Sequence, residues 1–150
     1  MPKIGEEDRK QLHEIFAKMD NPIRVLFFGA GDGEHSGQEE CAYCQDTKEI
    51  VAELAEISDK IKLEEHDFYS EKEVAAAYGV DKIPALVLLD PRGQDRGVKF
   101  YGIPGGYEFS TLIEDILDLS RDATHLSGAT KAELAGLKDD VIIKVFVTPT

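Results

Sequence analysis

The chain has 150 residues, enough for one hydrophobic core, and 42% of them are hydrophobic, an ordinary share for a folded domain. With 30 acidic residues against 17 basic ones the formal charge is −13, which repels phosphate backbones and anionic bilayers, so neither nucleic acid nor a membrane is an expected partner. The opening Met1-Pro2-Lys3-Ile4-Gly5-Glu6-Glu7-Asp8 is acidic where a secretory signal needs an apolar run, and no later stretch is apolar for long enough to span a bilayer. A cytoplasmic location follows as the expectation. One Asn, two Met, no Trp and 31% charged residues lean the composition toward a thermophile.

Leu12, Ile15, Phe16 and Met19 recur at helical spacing among charged residues and predict an amphipathic helix. It should stop before Asn21-Pro22, because the residue ahead of a proline disfavours α geometry. Ile23 to Phe28 is short and almost wholly apolar, as in a strand buried on both faces. A Gly-rich loop follows, and from Cys41 or just after, Ile50, Val51, Leu54 and Ile57 mark the buried stripe of a second helix. Ile61 to Phe68 reads as a second strand. Ser70 with Glu73 gives a capping-box pattern for a short helix through Val74 to Tyr78, which Gly79 can end in left-handed geometry.

Ile83-Pro84 opens the apolar strand Leu86 to Leu89. A proline at a strand's first position is acceptable, since its missing N–H removes no central ladder bond. The Asp90-Pro91-Arg92-Gly93 turn region then leads to Val98-Lys99-Phe100-Tyr101, close enough for an antiparallel hairpin. Phe109, Leu112, Ile113, Ile116 and Leu117 give the clearest amphipathic helix in the chain. Thr130 and Glu133 repeat the capping-box pattern, ahead of an apolar strand over Val141 to Val147. Ile143 to Val147 matches Ile23 to Phe27 in residue class position by position, as though a second copy of the first strand began there.

Against this order of elements, the two cysteines carry the chemistry. Cys41 and Cys44 are the only ones in the chain, and a gap of three would arise by chance in roughly one such chain in 75. At a helix start, the first thiol meets free backbone N–H groups that favour the thiolate, and the second lies within bonding reach. The expected roles are Cys41 as the attacking thiol and Cys44 as the buried resolving one. The expected activity is exchange with protein disulfides or dithiols, with electrons from a reductase or a small thiol and no bound cofactor.

The combination of Cys-X-X-Cys at the mouth of the helix after the first long strand with Ile83-Pro84 opening the third strand resembles the thioredoxin fold. That fold is α/β, a central mixed sheet flanked by helices. More closely, Asn21-Pro22, Cys41-Ala42-Tyr43-Cys44, Tyr101 to Phe109 and Val145 to Thr150 resemble the glutaredoxin-like protein disulfide oxidoreductases of thermophilic archaea and bacteria. The resemblance implies two thioredoxin-fold units in one polypeptide, each normally with its own Cys-X-X-Cys, the second immediately after Thr-Pro-Thr. Residues 1–126 would then be a thioredoxin-like unit with an N-terminal helix. Residues 127–150 would be a linker, a short helix and the first strand of a truncated second unit, the alternative being a complete small protein whose last strand extends its own sheet. The resemblance further implies that Tyr43 packs beside the pair, and that Ile83-Pro84 is cis and offers the Ile83 backbone to an extended substrate. An unpaired apolar strand over 141–147 would also seek a partner in its own sheet, in another chain or in an aggregate; exchange between chains, and so a homo-oligomer through that strand, is the expected assembly.

Two other readings belong beside this one. The dithiol, joined by His35 or by a second chain, would be a metal site, although two thiols and scattered histidines fall short of a closed four-ligand set. Alternatively the fold would serve as a non-catalytic interaction module, in which a disulfide closing so small a loop contributes little stabilisation. The loop from Gly29 to Glu40 lacks both the dinucleotide fingerprint and a phosphate-binding lysine, and it reads as an acidic surface loop whose Glu39 and Glu40 would raise the pKa of Cys41 while the helix N-terminus would lower it. His13, His66 and His125 read as solvated or terminal residues without a special role.

Overall fold

The computed structural model describes residues 2–31 and 40–148. Among these residues nine elements follow in order: α1 (Glu6–Phe16), β1 (Ile23–Gly29), α2 (Cys44–Ile57), β2 (Ile61–Asp67), α3 (Lys72–Ala77), β3 (Ala85–Leu89), β4 (Asp95–Tyr101), α4 (Tyr107–Arg121) and α5 (Gly128–Ala135). The four strands form one mixed sheet in the order β2-β1-β3-β4. β1 runs parallel to β2, from Ile23 opposite Ile61 to Gly29 opposite Asp67, and antiparallel to β3, with Phe28 opposite Ala85. β3 and β4 pair antiparallel with an irregularity between Val87 and Leu89.

Both faces of the sheet are covered, which explains why its central strands are apolar at nearly every position. Ile23, Val25 and Phe27 of β1 and Leu86 and Leu88 of β3 face one side. There they pack against Leu12 and Phe16 of α1, Val51 and Leu54 of α2, and Leu112, Ile113 and Ile116 of α4. Leu26, Phe28, Ala85, Val87 and Leu89 face the other side, under Ala75 and Val80 around α3. The outer strands carry the charges, Lys62 and Glu65 on β2 and Asp95 and Arg96 on β4, as sheet edges usually do.

Several local expectations need correction. α1 ends at Phe16, and Met19 is buried beyond it in a tighter turn in which its N–H donates to Phe16 O. Glu71, not Ser70, precedes α3. Its carbonyl accepts the N–H groups of Val74 and Ala75, and its carboxylate is drawn away to His66 and the Asp67 N–H. Gly79 does adopt positive φ after that helix. Thr130 lies inside α5, whose cap is Ser127, with Oγ accepting the Thr130 N–H at 3.1 Å. β4 begins at Asp95 instead of Val98, because the antiparallel register continues past the irregularity to pair Leu89 with Asp95.

His66 stands at an element end, as the penultimate residue of β2, and is half-buried instead of solvated. Its ring stacks on Phe28, 5.1 Å between centroids, and Nδ1 lies 3.0 Å from Glu71 Oε1. The largest difference lies at the C-terminal end, where residues 141–148 adopt no regular secondary structure and are exposed, Phe146 at 90%. A strand is defined by hydrogen bonds to a neighbour, and no described strand pairs with this segment. No helix among the described residues is long and apolar enough to cross a membrane.

Candidate redox site

The sheet's topology brings the distant parts of the site together. Parallel β1 and β2 end at one pole, where antiparallel β3 begins, so the end of β1 stands beside Pro84 and the start of α2 can be delivered to the same place. Cys41 and Cys44 are joined there as a disulfide with a Cα–Cα distance of 5.4 Å. The helix begins at Cys44, so Cys41 sits on the turn ahead of it. The Cys44 N–H donates to Cys41 O (3.4 Å), and Tyr43 holds the cap position.

The two sulfurs have unequal surroundings. Cys44 is 6% exposed and belongs to the core, whereas Cys41 is half-buried at its margin. Cys44 Sγ accepts a hydrogen bond from the Ala30 N–H at 3.4 Å, which ties the sulfur to the end of β1. Glycine at position 29 leaves room for the Phe27 ring: a Cβ there would lie 2.5 Å from Phe27 Cζ, while its 3.4 Å to Cys44 Sγ would be an ordinary contact. The buried stripe of α2 is Cys44, Thr47, Val51 and Leu54, with Ile50 and Ile57 only half-buried. Nothing in the sequence singles out Thr47, although its i+3 spacing from Cys44 places both on one face.

The Ile83–Pro84 peptide is cis. Pro84 is buried and its carbonyl accepts the Gly102 N–H at 2.9 Å, while Ile83 is half-buried and contacts both core clusters. Tyr43 remains beside the pair in sequence, but its side chain is 53% exposed. Charge near the start of α2 is paired: Asp46, in the first turn, accepts from Lys3 Nζ at 2.6 Å. Hydrogen bonds to Asp46 and Glu49 raise the Lys3 pKa, and those from Gln45 and Lys3 lower that of Glu49.

Residues 32–39 lie outside the described residues, and with them the readings made for His35, Glu39 and most of the Gly-rich loop. Glu40 is exposed. Among the described residues no group of three or more His, Cys, Asp or Glu side chains is arranged to hold a metal ion.

No protein-family model matches the chain. It is 33% identical over 79 residues to the probable thioredoxin of Methanothermobacter marburgensis, a match covering 52% of this chain and 86% of that protein. A solved protein disulfide oxidoreductase from Aeropyrum pernix is similar at TM-score 0.76 and 30% identity, over 89% of this chain and 55% of that one. A solved component of the Enterococcus faecalis alkylhydroperoxide reductase is similar at TM-score 0.75 and 28% identity, over 89% and 61%. The chain spans 17% to 25% of the length of the curated alkyl hydroperoxide reductase components that it matches, from Escherichia coli and Staphylococcus epidermidis. With its mixed sheet, its cysteine pair at the start of α2 and a relative it covers almost end to end, the chain belongs to the thioredoxin family, as a thioredoxin-fold disulfide oxidoreductase unit.

Proposed function

We propose that this unit exchanges disulfides with protein substrates through Cys41 and Cys44. The observation that carries the reading is the asymmetry of the pair, a half-buried Cys41 joined to a buried Cys44 at the start of a helix. In the reducing direction the Cys41 thiolate attacks one sulfur of a substrate disulfide. A mixed disulfide forms and one substrate thiolate leaves. The Cys44 thiolate then attacks Cys41 Sγ, expelling the second substrate thiolate and closing the Cys41–Cys44 bond. Two electrons pass to the substrate, and a reductase or small thiol restores them.

Ile83 and Pro84 form the docking edge of this proposal, with Tyr43 at its rim. Among the described residues the N–H and C=O of Ile83 engage no hydrogen-bond partner, so an extended peptide can pair with them as an added strand. Backbone pairing tolerates many side chains and supports a broad range of protein substrates. The decisive experiment combines insulin reduction in the presence of a thiol donor with trapping by a Cys44→Ser variant. Turnover by the wild-type chain and a stable mixed disulfide on Cys41 are expected. A chain that neither turns over nor traps refutes the reading.

Residues 1–126 act in this proposal as the redox unit, in the cytoplasm of a thermophile, and residues 127–150 as a segment beyond its core. Apart from half-buried Thr130, the described residues from Arg121 onward are exposed. The bare apolar stretch Val141 to Val147 supports association of two chains through that stretch. Sedimentation should show an assembly that moves toward monomer when residues 139–150 are deleted. A monomer at every concentration refutes this part.

A further inference from the structure

The buried stripe of α2 includes one hydroxyl, that of Thr47, which is fully buried and has no hydrogen-bond partner among the described residues. A helical threonine ordinarily satisfies its hydroxyl on a carbonyl one turn back. Here Tyr43 O, four residues back, accepts the Thr47 N–H at 3.0 Å, and the hydroxyl does not join it. A valine would fill the same space without an unpaired polar atom, so the hydroxyl is unfavourable in the oxidised state unless another state uses it.

Reduction creates such a state close by. Cys44 lies three residues ahead of Thr47 on the same face, and side chains so spaced hold their Cβ atoms about 5–6 Å apart. Within the disulfide, Cys44 Sγ is uncharged, bonded to Cys41 and, among the described residues, served by the Ala30 N–H. When the S–S bond opens, Sγ becomes a thiol or thiolate free to turn about χ1, and it can accept a second donor. No other described side-chain hydroxyl lies in the buried stripe of α2.

We propose that Thr47 is a positioning residue for the reduced state, whose hydroxyl donates to the Cys44 sulfur once the disulfide opens and holds it as the thiolate that resolves the mixed disulfide. The inference rests on the exchange activity proposed above. Thr47 touches no substrate in it; it acts through Cys44.

The test equilibrates the whole chain with glutathione buffers. Two glutathione thiols are oxidised to one glutathione disulfide while the Cys41–Cys44 bond is reduced to two thiols, so electrons and protons balance. The dithiol fraction is read by alkylation and mass. Thr47→Val should shift the equilibrium about tenfold toward the disulfide, a potential lower by about 30 mV for this two-electron couple. Thr47→Ser should restore the wild-type equilibrium, and Thr47→Ala should reproduce the valine shift even if the valine variant folds poorly. An equilibrium unchanged in both the valine and alanine variants overturns the proposal, as does a serine variant that behaves like valine. If the wild-type pair accepts no electrons from glutathione or dithiothreitol, the exchange reading fails and this inference with it. A cycling wild type with unshifted variants removes this inference alone.

Discussion

Replacing Gly29 by alanine puts one methyl group where β1, the Phe27 ring and the Cys44 sulfur converge. The new carbon would lie 2.5 and 2.7 Å from Phe27 Cζ and Cε1, closer than non-bonded carbons approach one another, and 3.4 Å from Cys44 Sγ. The backbone cannot yield easily, because Gly29 is paired with Asp67 across β2 and its carbonyl accepts the Phe68 N–H at 2.9 Å. The Phe27 ring is the part that must move, and it is 4% exposed inside the larger core cluster. Forcing a methyl into such a site costs about 1–3 kcal/mol, a large fraction of the about 5–15 kcal/mol that holds a typical domain together. Urea unfolding of the oxidised protein should therefore show a lower midpoint at unchanged slope. A double-mutant cycle gives the sharper test. Phe27→Leu removes the ring atoms in the way, so Gly29→Ala should cost at least about 1 kcal/mol less in that background than in the wild type. Equal costs in the two backgrounds, or an alanine variant within about 0.5 kcal/mol of wild type, would show that the contact is not what requires glycine.

Three further outcomes follow from separate parts of the molecule. Iodoacetamide added to the reduced chain should label Cys41 before Cys44, because the second thiol is buried in the core; peptide mapping that finds Cys44 modified first would reverse the assigned roles. Ser120 Oγ accepts the Asn21 N–H at 3.0 Å and donates to Asn21 O at 2.5 Å, clamping the end of α4 to the segment before β1. Ser120→Ala should cost about 1–2 kcal/mol in thermal or urea unfolding, and a variant as stable as wild type would remove the clamp from the account. The Asp90 pKa is lowered first by the Gln94 N–H and then by Arg96 and the Arg92 N–H, outweighing its desolvation. A carboxylate depressed in the folded state gives its full stabilisation above the unfolded value, about 3.9, and loses it as pH falls through the lower folded value. The stability difference between wild type and Asp90→Asn should therefore shrink as pH falls below about 4, and a difference independent of pH would contradict the assignment.

What the sequence made readable was the part decided by burial. β1 and β3 are apolar at nearly every position because both faces are covered, and such runs announce themselves without knowledge of the partners. The cysteine pair and Ile83-Pro84 were equally visible, since their spacing and position carry the signal. Boundaries were harder. Asp95, Arg96 and Gly97 have the composition of a turn, and only their register against β3 makes them a strand. The first residue of α2 was ambiguous because neither Ala42 nor Tyr43 is a capping residue, and the turn there is held by backbone groups and the disulfide instead. The contacts of His66 are not legible in sequence, because its partners Phe28 and Glu71 lie outside β2.

The segment from Val141 to Val147 shows where pattern reading stops. An apolar run states that its side chains favour burial and that its backbone favours extension, but a strand exists only when another strand takes its N–H and C=O groups. β1 and this segment agree in residue class over five positions, yet one is the centre of a sheet and the other is bare. The difference is the presence of β2 and β3 on either side of β1, which no property of the seven residues encodes. The same logic applies to Thr47. In sequence it is an ordinary helical threonine; its burial and its lack of a partner among the described residues emerge only when α2 is laid on the sheet. Both features are unfavourable as they stand, an exposed apolar run and a buried unpaired hydroxyl. The two proposals above give each a use in a second state: association of chains along 141–147 in one case, a reduced Cys44 in the other.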